Sequence, residues 1–177
     1  MAPKYKTLPS PERLWEVFSL NPLTGQLFWR IRTSARCRLE GPAGCLAKNG
    51  YVVIRIDGEM YGAHRLIRAW IDGADPNPHI VDHWDGNPAN NCPWNLRLCT
   101  QSQNMANVPH TGWTITASGK YAAQIKFKKQ NLYLGEFFTP LEAYTAYTTA
   151  KRLLFGKFAC AERFNGLDSS WERVSNA

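Results

Sequence analysis

The sequence predicts an α+β protein, because strand and helix patterns follow one another in three groups. Residues 50–73 show a hairpin pattern and then a helix, residues 79–107 show strand, loop, strand and helix, and residues 113–155 show three short strands and a helix. Alternating apolar residues mark the strands, and apolar residues every three or four positions mark the helices. We therefore expect small sheets accompanied by short helices.

Length and composition limit the number of domains and the class of protein that this chain can form. A chain of 177 residues can bury one ordinary core or two small ones. Its 44% hydrophobic and 12% aromatic content argues against disorder, and no apolar run approaches the roughly 20 residues that span a bilayer. The basic N-terminus has no apolar stretch behind it, so we expect a cytoplasmic protein with no membrane partner. Five cysteines, an odd number, are expected to be free thiols.

Charge is unevenly distributed along the chain. Residues 1–50 carry 8 basic and 3 acidic side chains, residues 51–108 carry 4 and 6, and residues 109–177 carry 9 and 5. Basic segments suit a polyanion, whereas carboxylates suit a hard cation. The pattern is compatible with nucleic acid binding, and equally with a mildly basic protein of another kind.

The first 50 residues predict a helix and a strand. Ser10 as N-cap and Pro11 at the first helical position start a helix that we expect to end near Asn21, and a strand is expected over residues 26–31. Four arginines follow closely and either contact phosphates or form a solvated face. They are Arg30, Arg32, Arg36 and Arg38.

A hairpin with an Asp57–Gly58 turn is predicted over residues 50–63, and a helix that Gly73 closes comes next. His64 opens this helix and either faces a cleft or packs on the hairpin, the second being favoured. In the central stretch, strands are predicted over residues 79–84 and 96–100, and a helix over residues 101–107.

The polar residues of the central stretch admit more than one interpretation. Asp82 and His83 lie on its first strand, and Asn104 lies on its helix, which can fold back over that strand so that distant residues share one ion. The loop of residues 85–94 is rich in turn formers, and within it Asn91 is expected to shape the loop rather than support catalysis. Cysteines 37, 45, 92 and 99 are an alternative zinc site, but their spacing lacks the usual tight pairs.

These residues resemble the HNH nuclease family, in particular phage and intron-encoded homing endonucleases. The resemblance covers AHRLIRAW and VDHWDGNPANNCPWNLRLCTQSQN, within residues 63–104. It implies a ββα-metal (His-Me finger) fold with His83 as general base, Asn95 orienting His83 by a hydrogen bond, and Asp82 and Asn104 binding one divalent metal, Mg²⁺ or Mn²⁺. His64 and Asn91 are candidate supporting residues. An imidazole can activate water near neutral pH, and a hard cation can stabilise charge on a phosphate.

The last segment predicts strands over residues 113–117, 121–128 and 131–135 and a helix to about Phe155. The motifs TGWTITASGKYAAQIKF and LYLGEFFTPLEAYTAYTTAKRLLFGKFA resemble the APETALA/ethylene-response-factor DNA-binding domain, whose three-stranded sheet lies in the major groove. The DNA-facing positions implied here are Thr114, Thr116, Gln124, Lys126, Lys128 and Tyr133. The plant family typically has arginine in place of Thr114 and Thr116, so its target is not expected to transfer. The same pattern also fits a module that only packs on the nuclease.

Together these observations predict a nuclease domain at residues 1–108 with its core motif at 79–107, a DNA-binding domain at 110–160 and a tail at 161–177. We expect a monomer that acts on double-stranded DNA and nicks one strand, unless two chains act together. The resemblance implies homing in a phage genome within a bacterial host cell. Two alternatives stay open, a non-catalytic phage regulator that retains the nuclease fold and a restriction or defence nuclease.

Overall fold

The computed structural model describes residues 6–34 and 37–160. The chain divides into two compact units, Met1–Gln101 and Ser102–Ala177. Both combine helices with antiparallel strands, as the α+β prediction requires. Along the residues described, no helix is both long enough and apolar enough to cross a membrane.

The first unit contains two α-helices, a short 3-10 helix (Pro93–Asn95) and seven strands among its described residues. In chain order the α-helices and strands are α1 (Pro11–Val17), β1 (Phe18–Asn21), β2 (Gln26–Trp29), β3 (Cys45–Leu46), β4 (Val52–Ile56), β5 (Glu59–Gly62), α2 (Ala63–Asp72), β6 (Ile80–His83) and β7 (Leu96–Cys99). The strands form a β1–β2 pair, a β3–β4–β5 sheet and a β6–β7 pair, all antiparallel. Strands β6 and β7 form a hairpin, and the loop that joins them lies at its end.

The first helix starts as predicted but ends earlier. The Ser10 hydroxyl accepts a hydrogen bond from the Arg13 backbone N–H, and Pro11 is the first helical residue. Phe18, however, has extended backbone angles and pairs with Trp29, against which its ring packs at 4.5 Å between centroids. The prediction of a helix to Asn21 was wrong because burying Phe18 in the strand pair outweighs its helical periodicity.

The core of the first unit lies between the helices and the central sheet. Leu14, Ile54, Ile56 and Leu66 are fully buried there, with exposed fractions of 0–1%. Burying each such side chain contributes about 1.5–3 kcal/mol relative to leaving it exposed. Helix α2 starts at the end of β5, so this core fixes the position of the residues at its N-terminus.

The second unit contains two helices and three strands among its described residues. They are α3 (Gln101–Ala106, beginning at the last residue of the first unit), β8 (Trp113–Ile115), β9 (Tyr121–Phe127), β10 (Gln130–Phe137) and α4 (Pro140–Phe155). The strand order is β10–β9–β8, with a register shift in β10 between Tyr133 and Gly135. The predicted sequence of three strands and a helix is therefore present, with β10 longer and β8 shorter than predicted.

One face of this sheet packs against α4 and the other is exposed. Ala123 and Ile125 of β9 are buried, as are Ala143 and Tyr147 of α4. Helix α4 begins with a capping box, in which Thr139 and Glu142 exchange hydrogen bonds between side chain and backbone. The alternation in β9 thus separates a packed face from a polar one, as predicted.

Candidate functional site

The site is built on the β6–β7 hairpin. Asp82 and His83 are the last two residues of β6, and in the strand register they face Arg97 and Leu96 of β7. Both are buried, with 7% and 4% of their surface exposed. Two polar side chains at the end of one strand are therefore held on rigid backbone next to a loop.

Asp82 forms a nearly buried ion pair with Arg97. The Arg97 Nη2 and Nε atoms lie 2.8 and 2.9 Å from the same carboxylate oxygen, Oδ2. The cross-strand register places the two residues directly opposite each other, which makes this pair possible. Both nitrogens approach Oδ2, so Arg97 holds the Asp82 carboxylate through that one oxygen.

His83 is held by an asparagine of the loop. Its Nε2 lies 3.1 Å from Oδ1 of Asn91, a residue that is only 4% exposed. An amide oxygen can only accept, so Nε2–H is the donor in this contact. Asn91, expected to shape the loop, thus also contacts the imidazole and selects its tautomer.

Asn95 stabilises the loop instead of contacting His83. Its amide donates to Asp85 Oδ1 at 2.9 Å and to the Asn90 carbonyl at 2.8 Å, and its Oδ1 accepts from the Asp85 backbone N–H. Asn95 therefore does not form the expected hydrogen bond with His83, and the Asn91 side chain contacts His83 in its place. Asn95 lies too deep in the loop, with 0% exposure, and its amide is already used by loop groups.

Two further rings, those of His64 and Tyr51, pack against the ring of His83. The His64 ring lies 5.2 Å from the His83 ring and 5.2 Å from the Tyr51 ring, and Tyr51 and His83 are 5.8 Å apart. A Cβ atom on Gly62 would lie 2.6 Å from Cε1 of His64, so the glycine leaves the space that this ring occupies. Burial, and secondarily the charges of His83 and Arg65, lowers the pKa of His64 from 6.5 to about 3. His64 is consequently neutral near pH 7.

The turn between β1 and β2 packs closely against the backbone of Asn91. Gly25 has a φ of +66°, and a Cβ atom there would lie 2.0 Å from the Asn91 carbonyl oxygen and 2.4 Å from the Cys92 nitrogen. The Cys92 thiol donates to the carbonyl of Leu23 in the same turn. Close backbone approach at this point requires glycine for both its conformation and its size.

Asn104 and the proposed DNA contacts occupy different parts of the chain. Asn104 is half-buried on α3 in the second unit, and its sharing of an ion with Asp82 stays a prediction. In the second unit Thr114, Gln124, Lys126, Lys128 and Tyr133 are exposed, and Tyr133 pairs with Gln124 across the sheet.

The other five predicted DNA contacts are Thr116 and the four arginines of residues 30–38. Thr116 lies beyond the end of β8, where its hydroxyl bonds with Ser118 and with the backbone of Lys120 and so holds the turn. The Arg30 guanidinium donates to the Trp15 carbonyl at 2.7 Å, which gives it a structural partner. Arg32 and Arg38 are exposed, and Arg36 lies outside the described residues.

Sequence reasoning did not find Tyr51, Gly25, Gly62 or Arg97. For Arg97 a signal exists, because pairing the two predicted strands places it opposite Asp82. The other three residues are recognised only from their contacts in the tertiary structure.

Among the described residues, no three histidine, cysteine or acidic side chains converge on a metal site. The donor set predicted here contains one carboxylate and one amide, and such hard oxygen donors suit Mg²⁺ or Mn²⁺.

Replacing Gly25 by alanine should destabilise the protein more than replacing Gly58. Both glycines have positive φ, +66° and +87°, but an added Cβ meets the Asn91 backbone at Gly25 and nothing within 4 Å at Gly58. Strain alone should cost about 1 kcal/mol at Gly58, while backbone overpacking should add about 1–3 kcal/mol at Gly25. Urea unfolding of the two variants measures this difference. Equal losses would show that Gly25 does not determine the position of Asn91.

His64 should make the protein lose stability in acid. Its folded pKa lies below its unfolded value, so its contribution is fully present above about pH 6.5 and is lost as the pH falls towards 3. His64→Phe, which keeps a ring between Tyr51 and His83, should remove up to about 3 kcal/mol of this loss at pH 4. Urea unfolding between pH 4 and 7.5 tests it, with the exposed His79→Phe as control. An unchanged pH slope in His64→Phe would refute this assignment.

Comparison with known proteins identifies the central segment. Residues 61–106 match the family model described as HNH endonuclease, which covers about a quarter of the chain and includes His64, Asp82, His83, Asn91 and Asn95. No curated protein and no solved structure matches the chain. The segment from the end of β5 to the end of α3 is thus similar to HNH endonuclease domains, and this similarity supports a nuclease of the HNH family.

Proposed function

We propose that the chain is a metal-dependent DNA endonuclease in which His83 is the general base. The observation that carries this proposal is the His83–Asn91 contact of 3.1 Å, made by the residue that directly follows Asp82 in β6. The contact holds the ring of a histidine, the side chain that can accept a proton from water near neutral pH. A base and a hard oxygen ligand on adjacent residues suit phosphodiester hydrolysis.

Each residue of the site then has a distinct role. His83 takes the proton at Nδ1, Asn91 holds Nε2–H, and the rings of His64 and Tyr51 restrict rotation of the imidazole. Asp82 and Asn104 would hold a divalent cation, which supplies stabilisation of negative charge on the phosphate when bound. Arg97 keeps the Asp82 side chain in one orientation at the end of β6.

The second unit provides a surface that suits a DNA backbone. The β9 face that is turned away from α4 carries Gln124 and Lys126, and Lys128 and Lys129 form the two-residue turn between β9 and β10. Cationic side chains along an exposed strand can neutralise phosphates. We propose that this sheet binds double-stranded DNA, as the APETALA/ethylene-response-factor resemblance implies.

One catalytic centre per chain favours nicking of one strand by a monomer. The resemblance to phage and intron-encoded enzymes favours a site-specific homing role. A long target that tolerates substitutions would support homing, whereas a short and strict target would support a restriction or defence nuclease.

His83→Ala should reduce DNA cleavage by about 10²–10⁴-fold because it removes the general base. DNA affinity should stay near that of the wild type, since the base acts in the transition state. Conversion of supercoiled plasmid and phage DNA to open circles, with Mg²⁺ or Mn²⁺ and with EDTA, measures cleavage. His79→Ala is the matched control, being an exposed histidine four residues away.

Full cleavage by His83→Ala, or cleavage in EDTA, would contradict the proposed chemistry. Binding without cleavage by the wild type on every DNA tested would favour the regulator alternative.

Replacing Lys128 by Asn together with Lys129 by Gly should raise stability while lowering DNA affinity. Both lysines have positive φ, 47° and 69°, in a turn where Asn–Gly is the favoured pair. Relief of strain should stabilise the fold by about 1–2 kcal/mol, and loss of two cations should reduce the salt dependence of binding. Thermal unfolding and gel-shift titrations at two salt concentrations measure the two effects.

The matched control is Lys128→Arg with Lys129→Arg, which keeps both charge and strain. It should bind like the wild type without gaining stability. If the Asn–Gly variant bound DNA as tightly as the wild type, the turn would not be part of the DNA-binding surface.

A further inference from the structure

Two exposed tryptophans lie near the two ends of the loop between β6 and β7, next to residues of the proposed site. Trp84 directly follows His83, and Trp94 directly precedes Asn95. They are 57% and 68% exposed, whereas His83 and Asn95 are 4% and 0% exposed. Buried site residues therefore alternate with large aromatic side chains that face solvent.

The backbone that carries these tryptophans is rigid. The Trp84 N–H donates to the Asn95 carbonyl at 2.8 Å and continues the β6–β7 pairing beyond His83. Asp85 accepts hydrogen bonds from Asn87, Asn90 and Asn95, which cross-links the loop between the two tryptophans. Each indole thus extends from a fixed position, so little backbone entropy is lost when it binds a ligand.

Distance restricts what these rings can contact. Neighbouring Cα atoms are about 3.8 Å apart, and successive nucleotides of one strand rise by about 3.4 Å. Trp84 is the residue next to His83 in the chain, and the hydrogen bond from the Trp84 N–H to the Asn95 carbonyl brings the backbone of Trp94 close to it. A strand whose phosphate lies at His83 therefore passes within about one or two nucleotides of the backbone that carries both tryptophans. Indole rings stack on the faces of all four bases, independently of sequence.

We propose that Trp84 and Trp94 form an aromatic surface that stacks on bases next to the scissile phosphate. This inference rests on the proposed nuclease function and specifies its substrate as DNA whose bases are unstacked at the cut. Aromatic side chains contact bases in this way where a duplex is kinked or locally single-stranded. The two tryptophans bind the substrate and need not take part in proton transfer.

The test compares Trp94→Ala, Trp84→Ala and Trp94→Phe with the wild type on a duplex whose complementary strand contains 2-aminopurine opposite the bases next to the cut, where the probe loses its partner without stacking on the indoles. Each alanine variant should bind about 5- to 100-fold more weakly and lose the fluorescence increase that reports unstacking, and Trp94→Phe should largely restore both. Leu46→Ala, which truncates an apolar side chain that is 66% exposed on β3, is the control and should resemble the wild type.

The possible outcomes separate the two proposals. If all variants bind, unstack and cut like the wild type, the aromatic surface does not exist, although the nuclease function stands. If the wild type itself does not cut, the proposed function fails. In that case loss of binding in both alanine variants, with recovery in Trp94→Phe, would still support the base-stacking surface on a non-catalytic DNA-binding protein.

Discussion

The proposed site depends on the placement of one imidazole ring, that of His83. Asn91 bonds its Nε2, while His64 and Tyr51 pack against the ring. A histidine that activates water needs both a defined tautomer and a restricted orientation. Asn91 defines the tautomer, and the rings of His64 and Tyr51 restrict the orientation. The other features of the first unit can be understood as support for these contacts.

Two glycines make the arrangement sterically possible. Gly25 allows the β1–β2 turn to approach the Asn91 backbone, and Gly62 leaves room for the His64 ring at the start of α2. The core under α2 fixes the helix N-terminus, and the β6–β7 register fixes Asp82 opposite Arg97. Small residues and strand pairing, more than strong individual bonds, therefore bring together side chains that are 8 to 32 residues apart in sequence.

Backbone strain in the second unit lies at the turn of its exposed sheet. Lysines occupy both positive-φ positions between β9 and β10, where Asn and Gly would be more stable. Strain that persists in a structure indicates a requirement other than stability, and here the requirement proposed is positive charge near DNA. This reasoning is independent of the family resemblance of the module.

The sequence by itself determined the element types and much of their order, because alternation, capping residues and turn formers act locally. It also placed Asp82 and His83 on a strand, although the strand ends at His83 and not at Trp84. It overextended α1, since the helical periodicity of Phe18 does not reveal its partner Trp29. Only the tertiary structure decided that Asn91 and not Asn95 contacts His83, and that Tyr51, Gly25 and Gly62 belong to the site. Those contacts join residues from separate strands and turns, and their spacing depends on packing that no local pattern records.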